Sequence, residues 1–111
     1  MKVYCLTLDL RDDPEAIRAY DDHHKNVWPE VLQSLTDSGI LAMQIYRFHN
    51  RLFMRIETLD DFTFERKAEM DLANPKVQEW EKLMENYQQA LPSSDPDWRW
   101  VLMDQVFDFR D

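Results

Sequence analysis

Glycine is almost absent from this 111-residue chain: Gly39 stands alone, where average usage near 7% would give about eight. That excludes the glycine-rich phosphate loops of Walker and dinucleotide-binding folds. Cysteine is as scarce. Cys5 has no second cysteine to pair with, which fits a reducing cytoplasm. Its alternating neighbours make it a buried strand residue rather than a nucleophile. Cations are outnumbered, with 13 Lys+Arg against 22 Asp+Glu and a net charge of −9. A nucleic-acid or anionic-membrane partner is therefore not expected, because phosphate binding relies on clustered cations. No apolar run approaches the roughly 18 residues of a membrane span. The amino terminus lacks the apolar block of a signal peptide, so the expected location is the cytoplasm.

What remains is one domain's worth of chain, residues 1–111, with 44% apolar and 13% aromatic residues. That is too apolar for disorder. A domain of this size buries roughly two-thirds of its unfolded surface. Any active site is therefore an open cleft, or one completed by a second copy of the chain.

Residues 3–10 alternate, with Tyr4, Leu6, Leu8 and Leu10 on one face, which predicts a half-buried strand. Asp13-Pro14 predicts a helix start, and Ile17, Tyr20, His24, Val27 and Val31 recur at helical spacing. Pro29 interrupts that run, so a kink or restart is expected near Trp28. Gly39 falls where a helix end favours a left-handed residue. Residues 40–48 and 51–58 predict a hairpin around His49-Asn50. Asp60-Asp61 is expected to open another helix, and Asn74-Pro75 to restart it through Val77, Trp80 and Met84. Residues 92–97 read as a linker, and 99–109 as a long alternating final strand. The order β-α-β-β-α-β predicts a ferredoxin-like split βαβ fold of the α+β class. Its two helices cover one face of an antiparallel sheet. The other face keeps apolar and aromatic residues, which points to a homodimer.

The segment richest in chemistry is Tyr20-Asp21-Asp22-His23-His24-Lys25-Asn26-Val27-Trp28-Pro29-Glu30. Tyr20 and His24 share a helical face one turn apart. A phenol beside an imidazole can share a proton near neutral pH. The same spacing also suits a packed tyrosine and a histidine on a polar edge. No metal site is expected: adjacent His23 and His24 diverge by about 100° on a helix, and no further His or Cys pair completes a set. A Gly-x-Ser-x-Gly elbow and a Cys–His pair are also lacking, which disfavours covalent hydrolysis.

Tyr20, His24 and Trp28-Pro29-Glu30 resemble the signature of the L-rhamnose mutarotase family. The likeness continues through Gly39, Ile45-Tyr46, Leu52-Phe53, Val77-Gln78-x-Trp80-x-Lys82-x-Met84 and Gln105-Val106-Phe107. The resemblance implies a dimeric α+β barrel without a cofactor that interconverts the α and β anomers of a 6-deoxy-L-sugar. It puts the catalytic proton donor on His24 and sugar-binding side chains on Tyr20 and Trp80. His24 is then expected to protonate the ring oxygen while water or Tyr20 takes the anomeric proton. Two positions depart from the family pattern. Met43 stands where the rhamnose enzymes have a strand tyrosine, and Glu81 stands where a second tryptophan follows the first. Both fall where the sugar is recognised, so L-rhamnose and L-fucose remain alternatives. Barrels of this type also host cofactor-free monooxygenases and haem-degrading enzymes, and a non-catalytic sugar-binding domain is a third reading.

Overall fold

The computed structural model describes residues 1–92 and 100–111. Strand β1 (Lys2–Leu10) is followed by helices α1 (Pro14–His23) and α2 (Pro29–Asp37). The hairpin β2 (Ile40–Phe48) and β3 (Arg51–Thr58) leads to helices α3 (Phe64–Leu72) and α4 (Pro75–Glu85). Two short strands close the chain, β4 (Gln88–Gln89) and β5 (Val101–Leu102). The sheet runs β2-β3-β1-β4, with β5 also on β1, and every pairing is antiparallel. This is the ferredoxin-like α+β arrangement. Within one chain the sheet is open, and no barrel closes.

Local chemistry explains most boundaries. Asp13 caps α1 by accepting from the Glu15 amide at 3.1 Å, with Pro14 in the first turn. The helix stops before Pro29, whose missing N–H is tolerated only at a new first turn, and α2 restarts there. Gly39 then takes a φ of +96°, releasing the chain into β2. Asn74 caps α4 by accepting from the Lys76 and Val77 amides at 3.1 and 3.3 Å.

Alternation in β1 sorts its residues by face. Leu6, Leu8 and Leu10 lie buried beneath the helices with Leu52 and Ile56 of β3. One cluster joins Leu10, Tyr20, Val31, Leu52, Trp80 and Met84, and another joins Leu6, Ile40, Ile56 and Phe62. The opposite face is uncovered. It carries an Asp9–Arg51 ion pair and the neighbouring rings of Tyr46 and Phe53. Cys5 lies on this face, half-buried rather than in the core.

Two expectations are corrected. The third helix does not start at Asp60-Asp61. Asp60-Asp61 instead form a turn, closed by the Phe62 amide donating to the Leu59 carbonyl at 3.2 Å, which puts Phe62, only 3% exposed, against Tyr4 and Phe64. Thr63 then caps α3 through the Arg66 amide. Asp60 instead pairs with the amino terminus. The long final strand shrinks to Val101–Leu102, which pair with Thr7 and Leu6, plus a bond from the Met103 amide to the Cys5 carbonyl. From Cys5 back to the amino terminus too little of β1 remains to pair a strand reaching Phe109. Residues 103–111 therefore run exposed, with Phe107 and Phe109 uncovered. Residues 93–97 of the expected linker and Arg99 of the expected strand lie outside the described residues.

Candidate active site

The last turn of α1 and the middle of α4 face each other across one end of the helical layer. Tyr20 is buried under that layer, and the ring of His24 lies 4.3 Å from it, centroid to centroid, with 32° between planes. Trp80 of α4 presents an edge to His24 at 5.5 Å, and Trp28 packs edge-on to Trp80 at 5.2 Å. The three side chains singled out in the sequence thus converge.

His24 follows the end of α1, and one carbonyl holds it twice. Its backbone amide donates to Tyr20 O at 3.3 Å, and its ring Nδ1 donates to the same oxygen at 2.9 Å. A carbonyl only accepts, so the proton sits on Nδ1 and Nε2 keeps its lone pair. Burial pushes the imidazole below its ordinary pKa, partly offset by that hydrogen bond. His24 is therefore a neutral base at neutral pH. Burial, then the charge of Asp21, pushes the Tyr20 phenol well above the usual tyrosine range. Tyr20 stays protonated and offers a hydroxyl, not a phenolate. His23 turns elsewhere and contacts the Tyr87 hydroxyl at 3.2 Å.

Tyr20, His24 and Trp80 line a cleft of about 640 Å³, within the range for a small-molecule site. Most of its wall is aliphatic. Met43 and Glu81, the two departures from the family pattern, both line it. Sequence reasoning missed Lys67 and Asp71 of α3, which line the same cleft as an ion pair at 2.5 Å. Their i,i+4 spacing resembles any surface helix pair, so only the packing of α3 marks them. Burial, then the charge of Asp71, raises the Glu81 carboxyl; Lys67 opposes that rise and Glu85 adds to it. A smaller pocket of about 200 Å³ shares Tyr20 and His24, and there Arg47 of β2 grips Asp21 of α1 with bonds of 2.9 and 2.6 Å. That fork ties the final turn of α1 to the sheet.

The sequence model of the L-rhamnose mutarotase family matches residues 3–109. An L-fucose mutarotase from Xanthomonas campestris pv. campestris is 38% identical over 109 residues, covering 96% of this chain and 87% of that protein. Among solved structures, an L-rhamnose mutarotase from Formosa agariphila superposes with a TM-score of 0.72 at 22% identity, over 99% of this chain and 100% of that one. A dimeric ferredoxin-like protein from an uncultured marine organism gives a TM-score of 0.55 at 11% identity, over 97% and 91% of the two chains. At those identities the structural likeness speaks for the fold.

Proposed function

This chain belongs to the L-rhamnose mutarotase family, and from that premise we propose that it interconverts the α and β anomers of a 6-deoxy-L-hexose, L-rhamnose or L-fucose, with His24 as its acid/base. It is a carbohydrate isomerase. The observation that carries the reading is the meeting of Tyr20, His24 and Trp80 in one cleft, with the Nδ1 of His24 anchored and Nε2 left to react.

Mutarotation moves one proton and breaks one ring bond. The anomeric hydroxyl loses its proton, C1–O5 breaks as C1=O1 forms, and O5 gains a proton. Both oxygens sit on C1, within reach of a single imidazole nitrogen. Neutral Nε2 takes the proton from O1 and returns it to O5 as the ring opens. Rotation about C1–C2 and the reverse steps then give the other anomer. His24 thus delivers the ring-oxygen proton, but it draws that proton from the substrate. Tyr20, kept a phenol, binds the sugar instead of deprotonating it. Trp80 offers an apolar surface to the C–H side of the ring. Such acid/base help is worth roughly 10²–10⁴-fold, and orientation adds to it. The scheme balances without a cofactor.

The reading extends to one mutarotase domain over residues 1–111, acting in the cytoplasm as a homodimer. Among the described residues, no helix is long and apolar enough to cross a membrane. The uncovered sheet face, with Tyr46 at 59% and Phe48 at 85% exposure, and the exposed 103–111 segment support pairing with a second copy. Sheet-to-sheet packing of two chains makes the barrel that one chain leaves open.

Anomer exchange measured by saturation-transfer NMR on L-rhamnose and L-fucose tests the proposal. The intact protein should accelerate exchange, and His24→Ala should lose that acceleration with an unchanged circular dichroism spectrum. Undiminished exchange in the variant would remove His24 from the mechanism. A Soret band on haem titration would favour the haem-degrading reading of this fold.

A further inference from the structure

The cleft wall is mostly aliphatic, yet a sugar presents a hydroxyl at nearly every ring carbon. We propose that Lys67, Asp71 and Glu81 form a hydroxyl-reading wall that selects a cis-vicinal diol at C3 and C4, the end of the pyranose remote from His24. The proposal rests on the mutarotase reading of the cleft.

Three observations support it. First, Asp71 is 8% exposed, lines the cleft, and uses one carboxylate oxygen, Oδ2, to accept from Lys67. Among the described residues its Oδ1 accepts no hydrogen bond, while no buried side-chain polar atom is left without a partner. The unused oxygen is therefore accessible, and the cleft is the space Asp71 borders. Second, Glu81 is oriented rather than loose. Gln78 donates from Nε2 to the Asp71 carbonyl at 2.8 Å and to Glu81 Oε2 at 3.3 Å, linking the end of α3 to the rim of the cleft. Glu81 Oε1 accepts nothing among the described residues. Third, Lys67 and Asp71 reach the cleft from α3 and Glu81 from α4, whereas His24 reaches it from the end of α1, so the wall and the base enter from different elements.

The wall therefore offers two oriented carboxylate acceptors around one ammonium donor. Vicinal hydroxyls match that set, each donating to a carboxylate while one accepts from Lys67. Such charge-assisted bonds are the strong ones, and a site built to bond a hydroxyl rejects the analogue lacking it. L-Fucose and L-rhamnose differ in configuration at C2 and C4. The C3–C4 pair is cis in L-fucose and trans in L-rhamnose, so the wall favours the fucose configuration.

Binding, not turnover, tests the wall independently of the chemistry. In a His24→Ala background, tryptophan fluorescence is titrated with L-fucose, 4-deoxy-L-fucose and L-rhamnose. Glu81→Gln and Asp71→Asn should each weaken L-fucose about tenfold or more, and for 4-deoxy-L-fucose, which keeps only the C3 hydroxyl, one of the two should change affinity less than twofold. Should Asp71→Asn fail to fold, the pair Lys67→Met/Asp71→Leu removes both charges together, and Glu81→Gln at the exposed rim reads the wall alone. Equal losses on all three sugars, unchanged L-fucose affinity, or no sugar binding at all would overturn the proposal. Anomer exchange in the parent protein is scored separately. Tight L-fucose binding without exchange would sink the mutarotase reading and leave the wall standing.

Discussion

His24 owes its protonation state to its surroundings more than to its own chemistry. Burial keeps the ring neutral, and the Tyr20 carbonyl decides which nitrogen carries the proton. A lowered folded-state pKa means the neutral base persists to more acidic pH than a free histidine allows. Exchange activity should therefore be flat across neutral pH and fall only on acidification past the depressed pKa, below about 6.5. An NMR rate profile from pH 4.5 to 8 checks this, and an inflection above 7 contradicts it. The stability term has the same sign. Below about 6.5 the unfolded chain binds the proton first, so stability declines as pH falls toward the folded pKa. Tyr20→Phe should weaken sugar binding without moving that inflection, since the phenol does not titrate in the working range. Gly39 matters for its backbone alone. A Cβ there would meet its nearest neighbours, on Leu59 and Phe62, at 3.7 Å or more, which is ordinary contact. The positive φ is the obstacle, and Gly39→Ala should cost about 1–2 kcal/mol by urea denaturation.

At the level of elements, caps and prolines were the most legible part of the sequence. Asp13-Pro14, Pro29, Gly39 and Asn74-Pro75 each mark a boundary where the structure has one. The marks are local: a missing N–H or a side chain beside its own amides needs nothing distant. Asn74→Ala should accordingly destabilise by about 1 kcal/mol, measurable as a lowered urea midpoint. The misses have the opposite character. Asp60-Asp61 carries the chemistry of a cap, but burial of Phe62 overrides it. Residues 99–109 alternate like a strand, yet alternation cannot say whether a sheet edge exists to receive it. β4 is two glutamines with no strand signature, paired to Asp9 and Leu10 only because α4 delivers them there. The site divides the same way. Tyr20 and His24 sit one turn apart and are visible as a pair, whereas Lys67 and Asp71 join the cleft only through the packing of α3.

For the whole molecule, the uneven distribution of apolar surface is the main fact. One face of the sheet is sealed by four helices, and the other shows aromatic rings to solvent beside an exposed carboxy-terminal segment with Val106 at 94% exposure. Light scattering should return about twice the 13.5 kDa chain mass. A charge placed on the open face by Phe48→Glu should shift the protein toward monomer without altering its helical content. A monomeric parent protein would contradict the homodimer. The negative net charge suits a neutral substrate, since nothing in the proposed reaction needs a cationic clamp. The cleft itself joins the two halves of the chain, with Tyr20 and His24 contributed by the first half and Trp80 and Glu81 by the second. A bound sugar therefore acts as a splint. At a hundred times its dissociation constant it would add about 2.7 kcal/mol to folding stability. Because β1 and β2 are themselves paired to β3, the halves cannot part without breaking the sheet, so affinity and fold should be lost together in one denaturant transition.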